Sequence, residues 1–262
     1  MFPYVTLFGR VFPVYAVLGV VGALLGLFSA LRTCKRFSIS REDCAYLYVF
    51  IAAGALVGAK VFYLLGVLPQ LCGDLPVLFS QPGVFFARYL SGGMGFFGGL
   101  FGGGLPSVLY CRAFHWKLGD FLPAILPSVP LFHGFGRLGC FCAGCCYGVE
   151  VPWGIAFSQS PIAPNGVPLF PVQLVEAAGL FVMYFVFLHL ARKVAPWRLL
   201  GLYVLCYAVL RFVLEFFRGD AARGSLWIFS TSQWLSFAAA AAGAVLLWKT
   251  RRQTGRPRGV KV

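Results

Sequence analysis

The apolar stretch LGLYVLCYAVLRFVLEFF, residues 200–217, is long enough to cross a bilayer as one helix. Tyr207, Arg211 and Glu215 recur in it every four residues, so their side chains project from one face of that helix. Charges inside a membrane are costly and usually functional, and Lys60 and Glu176 lie in other apolar stretches. The pattern predicts a polar site within a membrane protein; the alternative is an ion pair that only joins two helices.

The composition supports the same class of protein. Hydrophobic residues make up 60% of the chain and charged residues only 11%, with a mean hydropathy of +0.82, which excludes a soluble globular surface. We predict an all-α polytopic membrane protein, with a single transmembrane domain over residues 1–248 and a basic tail over residues 249–262. The seven candidate spans are residues 12–31, 45–68, 93–111, 121–135, 171–191, 199–217 and 226–248. The glycine-rich third and the short, proline-rich fourth are candidates for broken or re-entrant elements.

The basic residues predict the orientation. Most of the 22 Lys and Arg residues fall in alternate loops and in the tail, which the positive-inside rule assigns to the cytoplasm. No short cleavable signal precedes the first span, so we expect a retained helix with the N-terminus outside. This topology and attraction to anionic headgroups account for the net charge of +14. The tail lacks interleaved aromatic residues, so no nucleic-acid partner is predicted.

The densest chemistry lies in HGFGRLGCFCAGCCYG, residues 133–148. Its five glycines leave backbone amides open to a ligand, and Arg137 supplies a fork of donors that suits a phosphate. We predict an irregular periplasmic segment that binds phosphate at the membrane surface. The alternative is that the small residues only allow helices to pack closely.

Four cysteines in this segment suggest a metal or redox site. Thiolates spaced like Cys140, Cys142, Cys145 and Cys146 can ligate zinc or form disulfides. No histidine follows at zinc-finger spacing, and the adjacent Cys145 and Cys146 are poorly placed to ligate one ion. We expect no metal, and we keep disulfides, a soft-metal site and a covalent carrier as alternatives.

Six motifs in order carry a family resemblance. They are Pro13-Val-Tyr15, Gly58-Ala-Lys60-Val-Phe-Tyr63, Gly92-Gly-Met-Gly-Phe-Phe-Gly-Gly99, Gly136-Arg-Leu-Gly139, Pro171-Val-Gln173-Leu-Val-Glu176 and Tyr207-Ala-Val-Leu-Arg211-Phe-Val-Leu-Glu215-Phe-Phe-Arg218. Together they resemble the prolipoprotein diacylglyceryl transferase family over nearly the whole chain. Members of this family are bacterial membrane enzymes that move diacylglycerol from phosphatidylglycerol to the lipobox cysteine of a lipoprotein precursor.

The resemblance implies a site for an anionic phospholipid and a thiol. Arg137 and Arg211 would bind the phosphate and stabilise the leaving group, with Glu215 and Tyr207 orienting Arg211. The further substrate-binding candidates are Tyr15, Gly98, Gly99, Gly139, Gly148, Gln173 and Glu176. The last two would bind the headgroup or residues 133–148, which we call the signature segment. The implied partners are phosphatidylglycerol and the prolipoprotein signal peptide. No cofactor is implied, and we expect a monomer in the bacterial inner membrane.

Several family positions hold other residues in this chain. The family has a histidine at Phe97 and another at Phe170, and it has asparagines and an acidic residue where Cys140, Ala143 and Cys145 stand. Because phenylalanine cannot carry a proton, either another residue is the catalytic base or the chain has a changed reaction.

His133 is the available imidazole for that task, one helical turn before Arg137 if the segment is helical. A hydrogen-bonded structural histidine is the alternative. Lys60 is a candidate ligand for phosphate or a partner for Glu176. Arg218, Asp220 and Arg223 form a short outer loop that either gates the site or is a solvated turn.

Two other functions are compatible with the sequence. One is a paralogue that keeps the phospholipid site but uses another acceptor or cysteine-based thiol or metal chemistry. The other is a non-catalytic lipid-binding or transport protein, for which broken helices around intramembrane charges are also expected.

Overall fold

The computed structural model describes residues 3–90, 93, 96–220 and 225–252, and the chain is mostly helical. A backbone in hydrocarbon must satisfy its own hydrogen bonds, which favours helices in the long apolar stretches. The helices are α1 Val14–Thr33, α2 Arg41–Gly66, α3 Leu68–Gly73, α4 Leu75–Ser80, α5 Pro82–Leu90, α6 Phe96–Ala113, α7 Leu118–Ile125, α8 Ser128–Ala143, α9 Val172–Leu190, α10 Pro196–Glu215 and α11 Thr231–Lys249. A short 3-10 turn, Cys34–Phe37, follows α1.

Three small antiparallel β-hairpins complete the described elements. They pair β1 Tyr4–Leu7 with β2 Arg10–Pro13, β3 Glu150–Ala156 with β4 Pro168–Leu169, and β5 Ser225–Leu226 with β6 Phe229–Ser230. The β1–β2 turn uses Phe8 and Gly9, both with positive φ, as two-residue hairpin turns require.

The membrane class predicted from composition is confirmed. Within the described residues, four helical segments are long and apolar enough to cross a membrane: Val14–Phe37, Arg41–Gly66, Val172–Leu190 and Pro196–Glu215. They match the first, second, fifth and sixth predicted spans. The third, fourth and seventh predicted spans fall on α6, on α7 with α8, and on α11. The basic tail beyond residue 252 lies outside the described residues.

The fourth predicted span is two helices rather than one. α7 ends at Ile125 and α8 begins at Ser128, with Pro127 between them at the start of α8, where a missing N–H is tolerated. α8 then continues to Ala143, and Gly144 with φ 71° ends it. The predicted irregular segment over residues 133–148 is therefore helical up to Ala143 and irregular only beyond it.

The chain divides into two compact units, Glu42–Leu118 and the remainder, Met1–Arg41 with Gly119–Val262. In the first, α2 and α6 approach closely through glycines. A Cβ on Gly98 would lie 2.1 Å from the Gly58 carbonyl oxygen, and one on Gly102 would lie 2.2 Å from that of Gly54. Small residues of this kind let helix backbones approach closely. Close packing matters in a membrane, because lipid tails are as apolar as the side chains and the hydrophobic effect does not drive the helices together.

In the second unit, α1, α8, α9, α10 and α11 pack one against the next in that order. Glycines again mark the contacts. A Cβ on Gly22 would lie 2.7 Å from Phe135, and one on Gly134 would lie 2.7 Å from Phe181. Other contacts show the helix directions: Tyr15 with Gly139, Glu176 with Arg137 and Arg211, and Ser232 with Arg211. Each joins the start of one helix to the second half of its neighbour, so successive helices are antiparallel.

Backbone hydrogen bonds tie the C-terminal ends of α8 and α10 to the N-terminal end of α9. Val149 donates to Phe217, Phe170 donates to Val149, and Gly219 donates to Tyr147, over 2.8–3.0 Å. The N-terminal ends of α1 and α11 lie at this same end of the unit because the helices are antiparallel. All the polar contacts of the candidate site are found here.

Candidate active site

Glu176 is the centre of a buried charge cluster. It lies in the second turn of α9 with 0% exposure, and its Oε1 is 3.1 Å from Arg137 Nε on α8. Its Oε2 is 3.9 Å from Arg211 Nη1 on α10. One carboxylate thus lies between two guanidinium groups from neighbouring helices. A fully buried carboxylate requires such partners, because removal of a charge from water is costly.

Arg211 has a second carboxylate partner and a hydroxyl partner. Glu215, one turn later on α10, pairs with Arg211 Nη2 as the four-residue spacing predicted. Arg211 Nη2 also donates to Ser232 Oγ over 3.2 Å, and Ser230 Oγ donates to Glu215 Oε1 over 2.9 Å. The N-terminal end of α11 therefore holds the Arg211–Glu215 pair in place.

His133 shares a face of α8 with Arg137, since this segment is helical. Its Nε2 lies 4.0 Å from Glu176 Oε1, and its ring packs against Tyr207 with 5.4 Å between ring centroids. Tyr207, predicted to orient Arg211, instead contacts His133 and is within reach of Arg137. The imidazole is thus placed between a carboxylate and a phenol.

Arg218, which the sequence analysis placed in a short outer loop, belongs to this buried cluster. Its side chain is only 4% exposed, its Nε and Nη2 donate to Asp220 over 2.9 and 2.6 Å, and its Nε lies 4.0 Å from Glu215. Burial alone would lower the pKa of Arg218, but the hydrogen bonds to Asp220 raise it above its usual value. The segment is therefore not a solvated turn at Arg218; Arg223 lies outside the described residues. The signal was the spacing, because Arg218 follows Glu215 by three residues.

Several buried polar atoms of the cluster have no hydrogen-bond partner among the described residues. Most of these atoms lie in ion-pair contacts, but Gln173 Oε1 and Arg218 Nη1 have no ion-pair contact among the described residues either. A buried polar atom left in this way costs about 1–3 kcal/mol unless water or a ligand binds it. The atoms are Arg137 Nε, Arg211 Nη1, Arg218 Nη1, Gln173 Oε1, Glu215 Oε2 and both carboxylate oxygens of Glu176.

Gln173 binds the signature segment, one of its two predicted roles. It lies one turn before Glu176 on α9, is buried, and its Nε2 donates to the Cys145 carbonyl over 2.8 Å. It therefore holds the chain that follows α8 against the start of α9.

The predicted substrate-binding glycines of this unit are packing positions. A Cβ on Gly139 would lie 3.0 Å from the Cα of Tyr15, so this glycine lets the start of α1 contact α8. A Cβ on Gly148 would lie 2.3 Å from the Phe170 carbonyl oxygen and 2.8 Å from that of Phe217. Tyr15 itself is half exposed at this end of the unit.

Gly98, Gly99 and Lys60 belong to the unit Glu42–Leu118. Gly98 packs against the backbone of α2, and a Cβ on Gly99 would meet Ala59 at 3.6 Å. Lys60 Nζ donates to the carbonyls of Tyr89 and Gly93 over 3.2 and 3.3 Å. The side chain of Phe97, where the resemblance implied a histidine, lies outside the described residues.

The cysteines of the signature segment divide into a group of three and a single residue. The Sγ atoms of Cys140, Cys145 and Cys146 all lie within 4.8 Å of one another. Hydrogen bonds from the other two thiols and from Arg218 lower the pKa of Cys146, and the same thiol contacts raise the pKa of Cys145. The sulfur atoms of the adjacent Cys145 and Cys146 are thus close enough to face one ion, a proximity that their sequence positions did not predict.

Comparison with known proteins gives the family of this chain. A family model described as prolipoprotein diacylglyceryl transferase matches residues 4–249. The chain belongs to this family. It is 32% identical to the phosphatidylglycerol-prolipoprotein diacylglyceryl transferase of Clostridium tetani, over 88% of this chain and 90% of that protein. It is 35% identical to the enzyme of that name from Chlorobaculum tepidum, over 86% of this chain and 83% of that protein. The resemblance drawn from the six motifs is confirmed.

Proposed function

We propose that this chain transfers the diacylglyceryl group of phosphatidylglycerol to the lipobox cysteine thiol of a prolipoprotein, the reaction for which its relatives are named. The observation that carries the proposal is the buried carboxylate Glu176 between Arg137 and Arg211. Guanidinium groups stay charged when buried and bind phosphate through paired hydrogen bonds. Both arginines lie in motifs on which the family resemblance rests.

The bond changes explain why arginines are needed. The thiolate sulfur forms a bond to the glyceryl carbon that carries the phosphate ester, and the bond from that carbon to oxygen breaks. The electron pair leaves on the oxygen of glycerol phosphate, and the thiol proton passes to a base. Negative charge develops on the leaving oxygen, where a single positioned donor typically contributes about 10²–10³-fold in rate.

The carboxylates act as positioning residues for the arginines. Glu176 contacts Arg137 at Nε, the inner nitrogen, so we assign the two terminal nitrogens of Arg137 to the phosphate. Glu215 and Ser232 hold Nη2 of Arg211, which leaves Nη1 to be shared between Glu176 and the phosphate. This arrangement fixes both guanidinium groups before substrate binds, which avoids reorganisation during the reaction.

We assign the proton transfer to His133. Its Nε2 lies 4.0 Å from Glu176, whose carboxylate offsets part of the positive charge of Arg137 and Arg211 around the imidazolium that forms when the base takes a proton. The missing family histidine at Phe97 is thus replaced by an imidazole from α8. A paralogue with a different acceptor would retain the arginines and fail to use a lipobox peptide.

We further infer a monomer with seven crossings in one transmembrane domain of the bacterial inner membrane, with the N-terminus outside and the C-terminus in the cytoplasm. The four long apolar helices support four of these crossings, and we assign the others to α6, α7 with α8, and α11. With this orientation, the end of the unit that holds Glu176 faces the outer leaflet, where a secreted precursor arrives.

Transfer of labelled diacylglycerol from phosphatidylglycerol to a lipobox peptide tests the function. We expect turnover by the wild-type protein in detergent or liposomes, and a loss of at least about 10²-fold in Arg137→Ala. Arg198→Ala is the matched control, because Arg198 is an exposed arginine on α10, and its activity should be unchanged. If a relative is active in the same assay and this protein is not, the proposal is wrong; phospholipid binding that persists would then indicate the paralogue.

A further inference from the structure

Three thiols converge just beyond the C-terminal end of α8. Cys140 lies in the last turn of the helix, and Cys145 and Cys146 follow in the chain that leaves it. Their sulfur atoms lie within 4.8 Å of one another, and none of the nine cysteines, all within the described residues, forms a disulfide. Nothing in the proposed transfer reaction uses these thiols.

The backbone is bent sharply to bring the two adjacent cysteines to one place. Gly144 and Cys146 both have positive φ, 71° and 60°. The left-handed conformation costs a non-glycine residue about 1–2 kcal/mol, so Cys146 adopts it only because its surroundings impose it. Cys145 N–H also donates to the Cys140 carbonyl over 3.1 Å, which holds the turn against the helix end. The turn is what lets both neighbouring thiols face Cys140.

The sulfur positions suit a metal ion. With a zinc–sulfur bond of about 2.3 Å, thiolates around one ion lie roughly 3.8–4.0 Å apart in tetrahedral or trigonal geometry. Sulfur atoms within 4.8 Å of one another reach those separations through small side-chain rotations. Soft thiolate ligands select zinc and cuprous ions over magnesium or calcium. A site of three thiolates also leaves one coordination position for water or another ligand.

We propose that Cys140, Cys145 and Cys146 form a binding site for one thiophilic cation of the zinc or cuprous class. Each thiol loses its proton to the solvent as its sulfur binds the ion, so no redox step takes place. The guanidinium of Arg218 lies beside Cys146 and partly offsets the negative charge of three thiolates.

The site joins parts of the chain that hold the candidate active site. Cys140 is one helical turn from Arg137, the carbonyl of Cys145 accepts the bond from Gln173, and Cys146 contacts Arg218. A bound ion would fix these three contacts together. The role we infer is structural, so metal binding is independent of the transfer reaction and is tested without it.

The test is a metal titration of the full-length protein, purified in detergent and reduced under anaerobic conditions. Cd²⁺ is the first probe, because thiolate-to-metal charge transfer gives an ultraviolet absorption; Zn²⁺ and Cu⁺ then compete for the same site. We expect one equivalent per chain. Cys140→Ser, Cys145→Ser and Cys146→Ser should each weaken binding by at least tenfold. Cys142→Ser is the matched control, because Cys142 lies in the same segment outside the group of three, and should bind as the wild type does.

A second measurement, on the wild-type protein, tests the site even if the cysteine variants fail to fold. In the wild-type protein, bound Zn²⁺ should protect Cys140, Cys145 and Cys146 from alkylation, while Cys142 still reacts, as read by mass spectrometry of the peptides. The proposal is overturned if Cd²⁺ gives no thiolate absorption, or if the alkylation of the three residues is unchanged by metal. Transfer activity measured on the same preparation distinguishes failure of this site from failure of the proposed function.

Discussion

Replacement of Glu176 by glutamine tests the charge cluster directly. The side chain keeps its size, but Arg137 and Arg211, 3.1 and 3.9 Å away, lose the buried carboxylate between them. Removal of one partner from a buried ion pair typically costs about 3–5 kcal/mol, because the remaining charge stays uncompensated. Arg211 retains Glu215, whereas Arg137 retains no carboxylate with an ion-pair contact among the described residues. We therefore expect the free energy of unfolding to fall by about 3 kcal/mol, the lower end of this range.

The assay is denaturant-induced unfolding in mixed micelles, followed by circular dichroism. Glu150→Gln is the matched control, because Glu150 is an exposed carboxylate on β3, and surface changes are usually within about 0.5 kcal/mol. If Glu176→Gln is as stable as Glu150→Gln, Glu176 does not compensate the arginines as a buried anion. The reasoning on the cluster would then be refuted.

Two glycine substitutions, one in each unit, test the backbone contacts and turns described above. Gly98→Ala should lower the thermal stability by the equivalent of about 1–3 kcal/mol, because its Cβ would lie 2.1 Å from the Gly58 carbonyl oxygen. Gly104→Ala is the control: its Cβ would enter open space, so this variant should be neutral or stabilising. Equal melting temperatures for the two variants would contradict the close approach of α2 and α6. Gly144→Ala should be destabilising by at least about 1 kcal/mol, since φ is 71° and the Cβ would meet Ser160, whereas Gly136→Ala meets nothing within 4 Å. A Gly144→Ala protein that unfolds at the wild-type denaturant concentration would show that the turn after α8 differs from the one described.

Local spacing predicted the features that depend on one helix. The four-residue interval between Arg211 and Glu215 predicted their contact, and the interval between His133 and Arg137 predicted a shared face once the segment was helical. The six motifs predicted the family. Such features follow from helical geometry and need no knowledge of which helices are neighbours.

The features that depend on tertiary packing could not be predicted in this way. Glu176 meets Arg137 and Arg211 because α9 packs against both α8 and α10. Residue spacing within one helix does not predict which helices are neighbours in space. The burial of Arg218 depends on the chain folding back so that Asp220 reaches it. The convergence of the thiols depends on the positive φ of Cys146, a conformation that its residue type disfavours.

The position of the charge cluster along the helices affects how a lipid could be bound. Glu176 is four residues from the start of α9 and Arg211 is four residues from the end of α10, so both lie about 6 Å inside their helix ends at a rise of 1.5 Å per residue. A headgroup could reach that depth by a small displacement while its acyl chains stay in the bilayer. Extraction of an acyl chain from the bilayer would cost about 0.8 kcal/mol of hydrophobic free energy for each methylene group. If phospholipid binds at this cluster as we propose, the membrane would continue to solvate its acyl chains, and the protein would need to hold only the few atoms around the phosphate.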